Sequence, residues 1–162
     1  MIVSQRFSKL HRLRNVTIDD EDLIFCWVTD PVVRSASFSQ EAINITTHQK
    51  WFRERLCSSD CWIWIYERNR QPCGLVRIER ECVQAQLSYM LCYSCRGKNL
   101  ASIMLKMAVD EFRKTSSLET IFARTRPDNI SSQRSLERAG FKLKYQDKSE
   151  YLYISVRSRW ES

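Results

Sequence analysis

The sequence contains few residues that interrupt regular structure, and it has no long apolar run. Its 162 residues include only three glycines and three prolines, with no low-complexity tract or internal repeat, so the composition is that of a globular protein. No apolar run approaches the roughly 20 residues that a membrane-spanning helix needs. Residues 1–14 carry scattered charge without the apolar core of a signal peptide. We therefore expect a soluble, cytoplasmic protein that does not bind membranes.

The cysteines indicate neither a disulfide framework nor a clear metal site. There are seven of them, and an odd number in an intracellular chain favours free thiols. Cys57-x3-Cys61 and Cys92-x2-Cys95 could together offer four thiolates to zinc. Nothing else in the sequence resembles a zinc ribbon, so we expect no metal.

The balance of charge is basic. Lysine and arginine number 26 against 19 acidic residues, which gives a net charge of +7 dispersed along the chain. Such a surplus suits an anionic ligand, for example a nucleotide cofactor. Nucleic acid would also fit the charge, but no nucleic-acid-binding motif is present, so we do not expect it as a partner.

The most informative stretch lies in the middle of the chain. A strand pattern over Gln86–Leu91 leads into a short link that opens an amphipathic helix. The first N–H groups of a helix have no intrahelical partner, and they lie at the positive end of its dipole. Gly97 and Ala101 keep this link free of bulk, while Arg96 and Lys98 add positive charge. The pattern therefore predicts a phosphate site.

Helical and strand patterns alternate in the N-terminal half. A first strand is predicted over Phe7–Val16, followed by two helices. We expect a loop or short turn over Val32–Phe38 between those helices, and Thr46 or Thr47 as the N-cap of the second.

The order of patterns also predicts the architecture. Two antiparallel strands lead into the central strand, and after the long helix come a strand over Leu118–Arg126, a helix opened at Asn129 and a terminal hairpin. This order predicts an α/β (α+β) fold, with a mixed, mostly antiparallel sheet and helices on both faces. We expect a single domain over residues 1–162, with its core at about 13–156.

Two motifs together resemble the GCN5-related N-acetyltransferase (GNAT) family. Arg96-x-x-Asn99-x-Ala101 is similar to the family's Gln/Arg-x-x-Gly-x-Gly/Ala signature, which opens the helix after the fourth strand. The segment from Asn129 to Phe141 is similar to a second family motif that ends in Gly-Phe. The resemblance covers roughly Leu13–Val156. It implies a splay between the fourth and fifth strands, and transfer of acetyl from acetyl-CoA to a primary amine.

The resemblance also implies which residues hold acetyl-CoA. The diphosphate is expected on main-chain N–H groups of residues 97–101, and the pantetheine arm on the open edge of the central strand. Asn99 replaces the usual glycine, but asparagine tolerates unusual dihedrals. Asn129 could contact the cofactor or act only as a helix N-cap. The full set of expected contacts is Leu91, Tyr93, Arg96, Gly97, Lys98, Asn99, Leu100, Ala101, Asn129 and Ser132.

The catalytic groups depart from the family pattern. Leu136 stands where many members carry a tyrosine that protonates the leaving thiolate, and Gln86 lies near the usual place of a glutamate. A main-chain N–H near Leu91 is expected to stabilise the oxyanion. His48 and Glu79 are candidates for the base. Their alternative roles are a polar residue in the first turn of a helix and a surface carboxylate.

The N-terminal half resembles one branch of the family. Trp27-x-x-Asp30-Pro31, followed by His48-x-x-Trp51-Phe52, looks like the enzymes that acetylate amino groups on nucleotide-linked sugars, as in pseudaminic acid biosynthesis. In that reading His48 could also bind the substrate, and Arg34 and Arg77 could contact its diphosphate.

The alternatives for the function are a protein N-terminal or small-amine acetyltransferase and a non-catalytic acetyl-CoA-binding module. A homodimer is left open.

Overall fold

The computed structural model describes residues 10–157. Its strands are β1 (His11–Asn15), β2 (Cys61–Arg68), β3 (Gln71–Glu81), β4 (Gln84–Leu91), β5 (Thr120–Thr125), β6 (Lys142–Gln146) and β7 (Tyr151–Val156). Its helices are α1 (Glu21–Val28), α2 (Pro31–Ala36), α3 (Ile45–Leu56), α4 (Leu100–Thr115) and α5 (Ile130–Arg138), with 3-10 turns at Ile18–Asp20 and Tyr93–Cys95. The seven strands form one sheet in the order β1-β2-β3-β4-β5-β7-β6.

The sheet separates two apolar cores. Successive side chains of a strand point to opposite faces, so β2 contributes Trp64 to one core and Ile65 to the other. The larger core lies under α4, whose Phe112 is fully buried, and the smaller one under α1 and α3, where Phe52 is fully buried. The predicted mixed sheet with helices on both faces is confirmed.

The fourth and fifth strands separate along most of their length. They are parallel, and within the described residues they pair only at Ala85 with Ile121 and at Gln86 with Phe122. The other neighbouring strands are antiparallel. Because β4 continues to Leu91 and β5 to Thr125 beyond those pairs, a wedge opens between them. The predicted splay is confirmed.

The prediction of a loop over Val32–Phe38 is wrong for most of that segment, which forms α2. Pro31 occupies the first helical turn, where its fixed φ is compatible with a helix and its missing N–H costs nothing. The Asp30 side chain accepts hydrogen bonds from the main-chain N–H groups of Val32 (2.9 Å) and Val33 (3.1 Å). The Asp-Pro pair thus ends one helix and also begins the next.

The predicted caps of α3 are also wrong. Asn44, rather than Thr46 or Thr47, is the N-cap, and its side chain accepts a hydrogen bond of 2.8 Å from the Thr47 N–H. Asparagine is at least as good a cap as threonine, so the helix begins earlier than predicted. Of the predicted first strand over Phe7–Val16, residues 7–9 lie outside the described residues.

None of the seven cysteines forms a disulfide bond. All seven cysteines lie in the described residues and are free, which confirms the predicted thiols. Within residues 10–157, no three potential protein ligands come together to hold a metal ion. Every helix in the same range is too short or too polar to cross a bilayer.

Candidate active site

A cleft of about 660 Å³ occupies the wedge between β4 and β5. One side is formed by α2 and the residues that follow it, up to Phe38, and the other by the start of α4 and by α5. Among the described residues, every charged side chain that lines the cleft is an arginine: Arg96, Arg124, Arg134 and Arg138. The cleft is therefore a cationic environment.

The turn before α4 presents main-chain donors to the cleft. Gly97 has φ of 72° and Asn99, the N-cap of α4, has φ of 57°, both in the left-handed region. The expected tolerance of asparagine at this position is confirmed. Gly97, Asn99, Leu100 and Ala101 all line the cleft, and the first N–H groups of α4 have no partner within the helix. This arrangement fits a diphosphate.

The edge of β4 that faces the wedge carries main-chain groups that a ligand can use. The Cys92 N–H donates to the Cys73 carbonyl of β3 (2.9 Å). Because alternate residues of a strand hydrogen-bond to the same neighbour, the N–H and C=O groups of Tyr89 and Leu91 point away from β3, into the wedge. The amides of a pantetheine arm can pair with such an edge.

Arg96 connects the turn to both walls of the cleft. Its Nε donates to the Leu91 carbonyl (3.1 Å), and its Nη2 forms an ion pair with Asp30 Oδ1 (3.0 Å). Its Nη1 is buried and has no hydrogen-bond partner among the described residues. A buried donor without a partner is costly, so a phosphate or carbonyl oxygen of a bound cofactor would satisfy it. The residues present therefore fit acetyl-CoA.

The start of α5 lines the cleft opposite this turn. Asn129 Oδ1 accepts a hydrogen bond from the Ser132 N–H (3.1 Å), so Asn129 is the N-cap of α5. Asn129 and Ser132 both line the cleft as well. Tyr93 and Lys98, in contrast, are exposed and lie outside it. Eight of the ten expected cofactor contacts are thus brought together.

Tyr89 is a cleft residue that the sequence did not single out. Its hydroxyl donates a hydrogen bond to Ser132 Oγ (3.0 Å), and Leu136, one turn further along α5, is fully buried beside the same cleft. Burial raises the pKa of Tyr89, although hydrogen bonds with Ser132 and Ser135 act in the opposite direction. The phenol therefore stays protonated at neutral pH. In the sequence, Tyr89 is only one of the residues that favour a strand over Gln86–Leu91.

The structure does not bring the two candidate bases to the cleft. His48 is 2% exposed between α1 and α3, where its Nε2 lies 3.2 Å from the Glu21 carbonyl and its ring packs against Phe25 and Phe52. Glu79 forms ion pairs with Arg55 and Arg77 instead, at 2.6 and 2.9 Å. Within residues 10–157, no histidine, aspartate or glutamate lines the cleft.

The two arginines expected to contact the substrate also lie elsewhere. Arg34 donates to the Ser39 carbonyl. Arg77 stacks on Trp51, with its guanidinium carbon 5.0 Å from the ring centroid. Burial lowers the pKa of Arg77, partly offset by Glu79. Neither arginine lines the cleft.

Arg124, unlike Arg34 and Arg77, lines the cleft. Its guanidinium lies 5.7 Å from the centroid of the Phe38 ring, and both residues line the cleft. Gln86, with its amide oriented to satisfy both neighbours, accepts from Arg124 Nη2 (3.2 Å) and donates to Glu81 (2.7 Å). Glu150 is a looser partner, 3.6 Å from Arg124. In the sequence, the feature that could have indicated Arg124 is its charge, because the rest of β5 is apolar or uncharged.

A family match agrees with this geometry. Residues 11–142 match the family model described as an acetyltransferase (GNAT) domain. Since the match covers well over half of the chain, the protein belongs to the GNAT acetyltransferases. It is an N-acetyltransferase that uses acetyl-CoA, so the alternative of a non-catalytic binding module is not retained. A comparison with curated protein sequences finds no significant match.

Solved structures share the fold over nearly the whole chain. Spermidine N-acetyltransferase from Vibrio cholerae, in complex with CoA and spermine, has a TM-score of 0.81 at 13% identity, covering 92% of this chain and 96% of that one. AAC(6')-Ib with ribostamycin and coenzyme A has a TM-score of 0.80 at 17% identity, covering 94% and 98%. Campylobacter jejuni N-acetyltransferase PseH has a TM-score of 0.69 at 14% identity, covering 92% and 99%. At these identities the likeness establishes the fold alone.

Proposed function

We propose that the acceptor is the primary amine of a nucleotide-linked amino sugar. The observation that carries the proposal is the absence of any carboxylate from the lining of the cleft among residues 10–157, together with Arg124 beside Phe38. A guanidinium matches a diphosphate in shape and charge, and an exposed aromatic ring can stack on a base.

A cationic acceptor fits this lining less well. Spermine and ribostamycin accompany two of the similar structures, and such polyamines would be repelled by an arginine-lined cleft. A second candidate is the N-terminal amine of an acidic peptide, because the Arg124 guanidinium also pairs with carboxylates.

The cofactor is expected to lie along the central turn and strand edge. The N–H groups of residues 97–101 bind the diphosphate, and the wedge-facing groups of Tyr89 and Leu91 bind the pantetheine arm. The Leu91 N–H then also serves as a donor to the thioester carbonyl as charge develops there. Arg96 Nη1 contributes a charged hydrogen bond to the same ligand.

Proton transfer uses water on one side and a phenol on the other. An ammonium has no lone pair, so the acceptor must lose a proton before attack. With no carboxylate or histidine lining the cleft in the described residues, that proton passes to water. The Tyr89 hydroxyl has one proton, which it donates to Ser132 Oγ. When the cofactor binds, the Ser132 hydroxyl would turn to donate to the phenol oxygen. The Tyr89 proton is then free for a hydrogen bond to the departing sulfur, a role that Leu136 cannot fill.

The test is an assay of free thiol released from acetyl-CoA with three acceptors. A UDP-linked amino sugar, spermine and an acidic peptide with a free N-terminus are compared at equal concentration. We expect the highest kcat/KM with the nucleotide sugar. A preference for spermine would overturn the proposal, and a preference for the peptide would select the second candidate.

We also propose a cellular location, a metal requirement and an oligomeric state for the enzyme. Free thiols and the use of acetyl-CoA support a cytoplasmic location. No metal is expected, so activity should be unchanged by a chelator. The homodimer stays a proposal that light scattering coupled to size-exclusion chromatography tests.

A further inference from the structure

An ion pair joins the turn before α4, where the cofactor diphosphate is expected, to α2. With the residues up to Phe38, α2 forms the side of the cleft that we call the acceptor wall. Asp30 Oδ1 accepts hydrogen bonds from the N–H groups of Val32 and Val33 and from Arg96 Nη2, at 2.9, 3.1 and 3.0 Å. One carboxylate oxygen thus holds the first turn of α2 and the guanidinium at the start of the phosphate turn. Both side chains of the ion pair are about one quarter exposed, at 25% for Arg96 and 23% for Asp30.

Each end of this ion pair belongs to a different part of the cleft. On the acceptor side, α2 and the residues after it supply lining side chains that include Val33 and Phe38. On the cofactor side, Arg96 also donates to the Leu91 carbonyl (3.1 Å) and keeps Nη1 buried without a partner in the described chain. A cofactor that bonds to Nη1 would fix the guanidinium, and through it Asp30.

Little side-chain packing holds α2 in place. The helix has six residues, and none of its side chains is buried, so packing contributes little to holding it in place. Burial alone would raise the pKa of Asp30, but hydrogen bonds from the Val33 N–H and from Arg96 outweigh it and lower that pKa. The carboxylate is therefore charged over the range in which the enzyme would work.

We propose that the Asp30–Arg96 ion pair couples acetyl-CoA binding to the ordering of α2, so that the acceptor wall forms when the cofactor is bound. Asp30 is a positioning residue in this account, because it acts through Arg96 and α2. By reciprocity, the coupling that orders α2 also strengthens cofactor binding by the same factor. The inference rests on the use of CoA and is independent of which amine is the acceptor.

Hydrogen–deuterium exchange with CoA as the only ligand tests the coupling. In the wild type, saturating CoA should slow exchange of the amides of residues 32–37 by at least about fivefold, the lower end of typical allosteric couplings. Asp30→Ser keeps a good N-cap but is too short to reach Arg96, so this protection should disappear while CoA still binds. Asp30→Asn keeps the cap and a neutral acceptor, and should give an intermediate value.

The control is the same substitution at another ion pair. Asp60 pairs with Arg80 at 3.1 Å, and neither residue lines the cleft, so Asp60→Ser should leave the protection of residues 32–37 unchanged. Calorimetric titration with CoA confirms saturation for each variant. Absence of CoA-dependent protection in the wild type, or full protection in Asp30→Ser, would overturn the proposal. An acceptor other than a nucleotide sugar would leave it intact.

Discussion

The cofactor half of the cleft is built mainly from one stretch of chain, with the start of α5 opposite it, whereas the acceptor half draws on three separated segments. Residues 89–101 supply the strand edge, the turn and the first N–H groups of α4, so most donors there belong to the main chain. The acceptor half depends on side chains such as Phe38, Ser88 and Arg124. Binding by main-chain groups tolerates many substitutions, because the N–H and C=O groups remain when a side chain is replaced. Binding by side chains changes in specificity when those side chains are replaced.

The largest effect is expected where a side chain blocks the main-chain site. Ala101 is 7% exposed at the second position of α4, so Ala101→Glu places bulk and negative charge against the diphosphate. We expect CoA affinity to fall by about 100-fold or more, roughly 2.7 kcal/mol, measured by calorimetry. Lys106→Glu, on the exposed face of the same helix, is the control. Unaltered affinity in a folded Ala101→Glu variant would contradict the phosphate assignment.

On the acceptor side, Arg124→Gln should alter the amine substrate without altering the cofactor. We expect the KM for a nucleotide-linked amine to rise about 10- to 100-fold, because a hydrogen bond to a charged group contributes about 1.5–3 kcal/mol. The KM for acetyl-CoA should stay within about twofold. Arg126→Gln is the matched control, since Arg126 pairs with exposed Asp128 and does not line the cleft. Equal effects on both substrates would remove the distinction between the two halves.

Tyr89 lies where the two halves meet, and its loss should slow transfer without weakening cofactor binding. We expect Tyr89→Phe to lower kcat about tenfold, the effect of one hydrogen bond to a charged group, with a CoA Kd within about threefold. Because burial raises the pKa of Tyr89 above its ordinary value of about 10, wild-type kcat should rise with pH as the amine deprotonates and show no fall below about pH 10. Tyr93→Phe, exposed outside the cleft, is the control. A descending limb near neutral pH would exclude the phenol as donor.

His48→Ala should have the smallest effect on catalysis. We expect kcat/KM to change less than twofold across the pH range, and the free energy of unfolding to fall by about 2–4 kcal/mol, as for other large-to-small core substitutions. Chemical denaturation and pH–rate profiles measure the two effects. If the ascending limb of the profile vanished in a folded variant, His48 would be the base after all.

The geometry of the turn before α4 could be predicted from the sequence because its signal is local. Gly97, Asn99 and Ala101 follow a strand and open a helix, and backbone geometry of this kind is set by neighbours in the chain. The same locality let Asn129 be recognised as a helix cap. The expected splay followed from the family resemblance.

The acceptor half could not be predicted in the same way. Arg124 and Phe38 are far apart in sequence and meet only because β5 and the segment after α2 face each other across the cleft. His48 belongs to a motif that resembles the family's, yet it lies on the face of α3 that packs against α1, so its side chain is buried in the core. At Val32–Phe38 the prediction fails because Asp30-Pro31, a pair that ends a helix, also caps and begins the next one.

A crystal structure with CoA bound tests the central claim most directly. The account predicts a diphosphate within hydrogen-bond distance of the N–H groups of residues 97–101, and a pantetheine arm along Tyr89 and Leu91 in the wedge between β4 and β5. A diphosphate bound elsewhere, or β4 and β5 paired along their full length with CoA present, would contradict it.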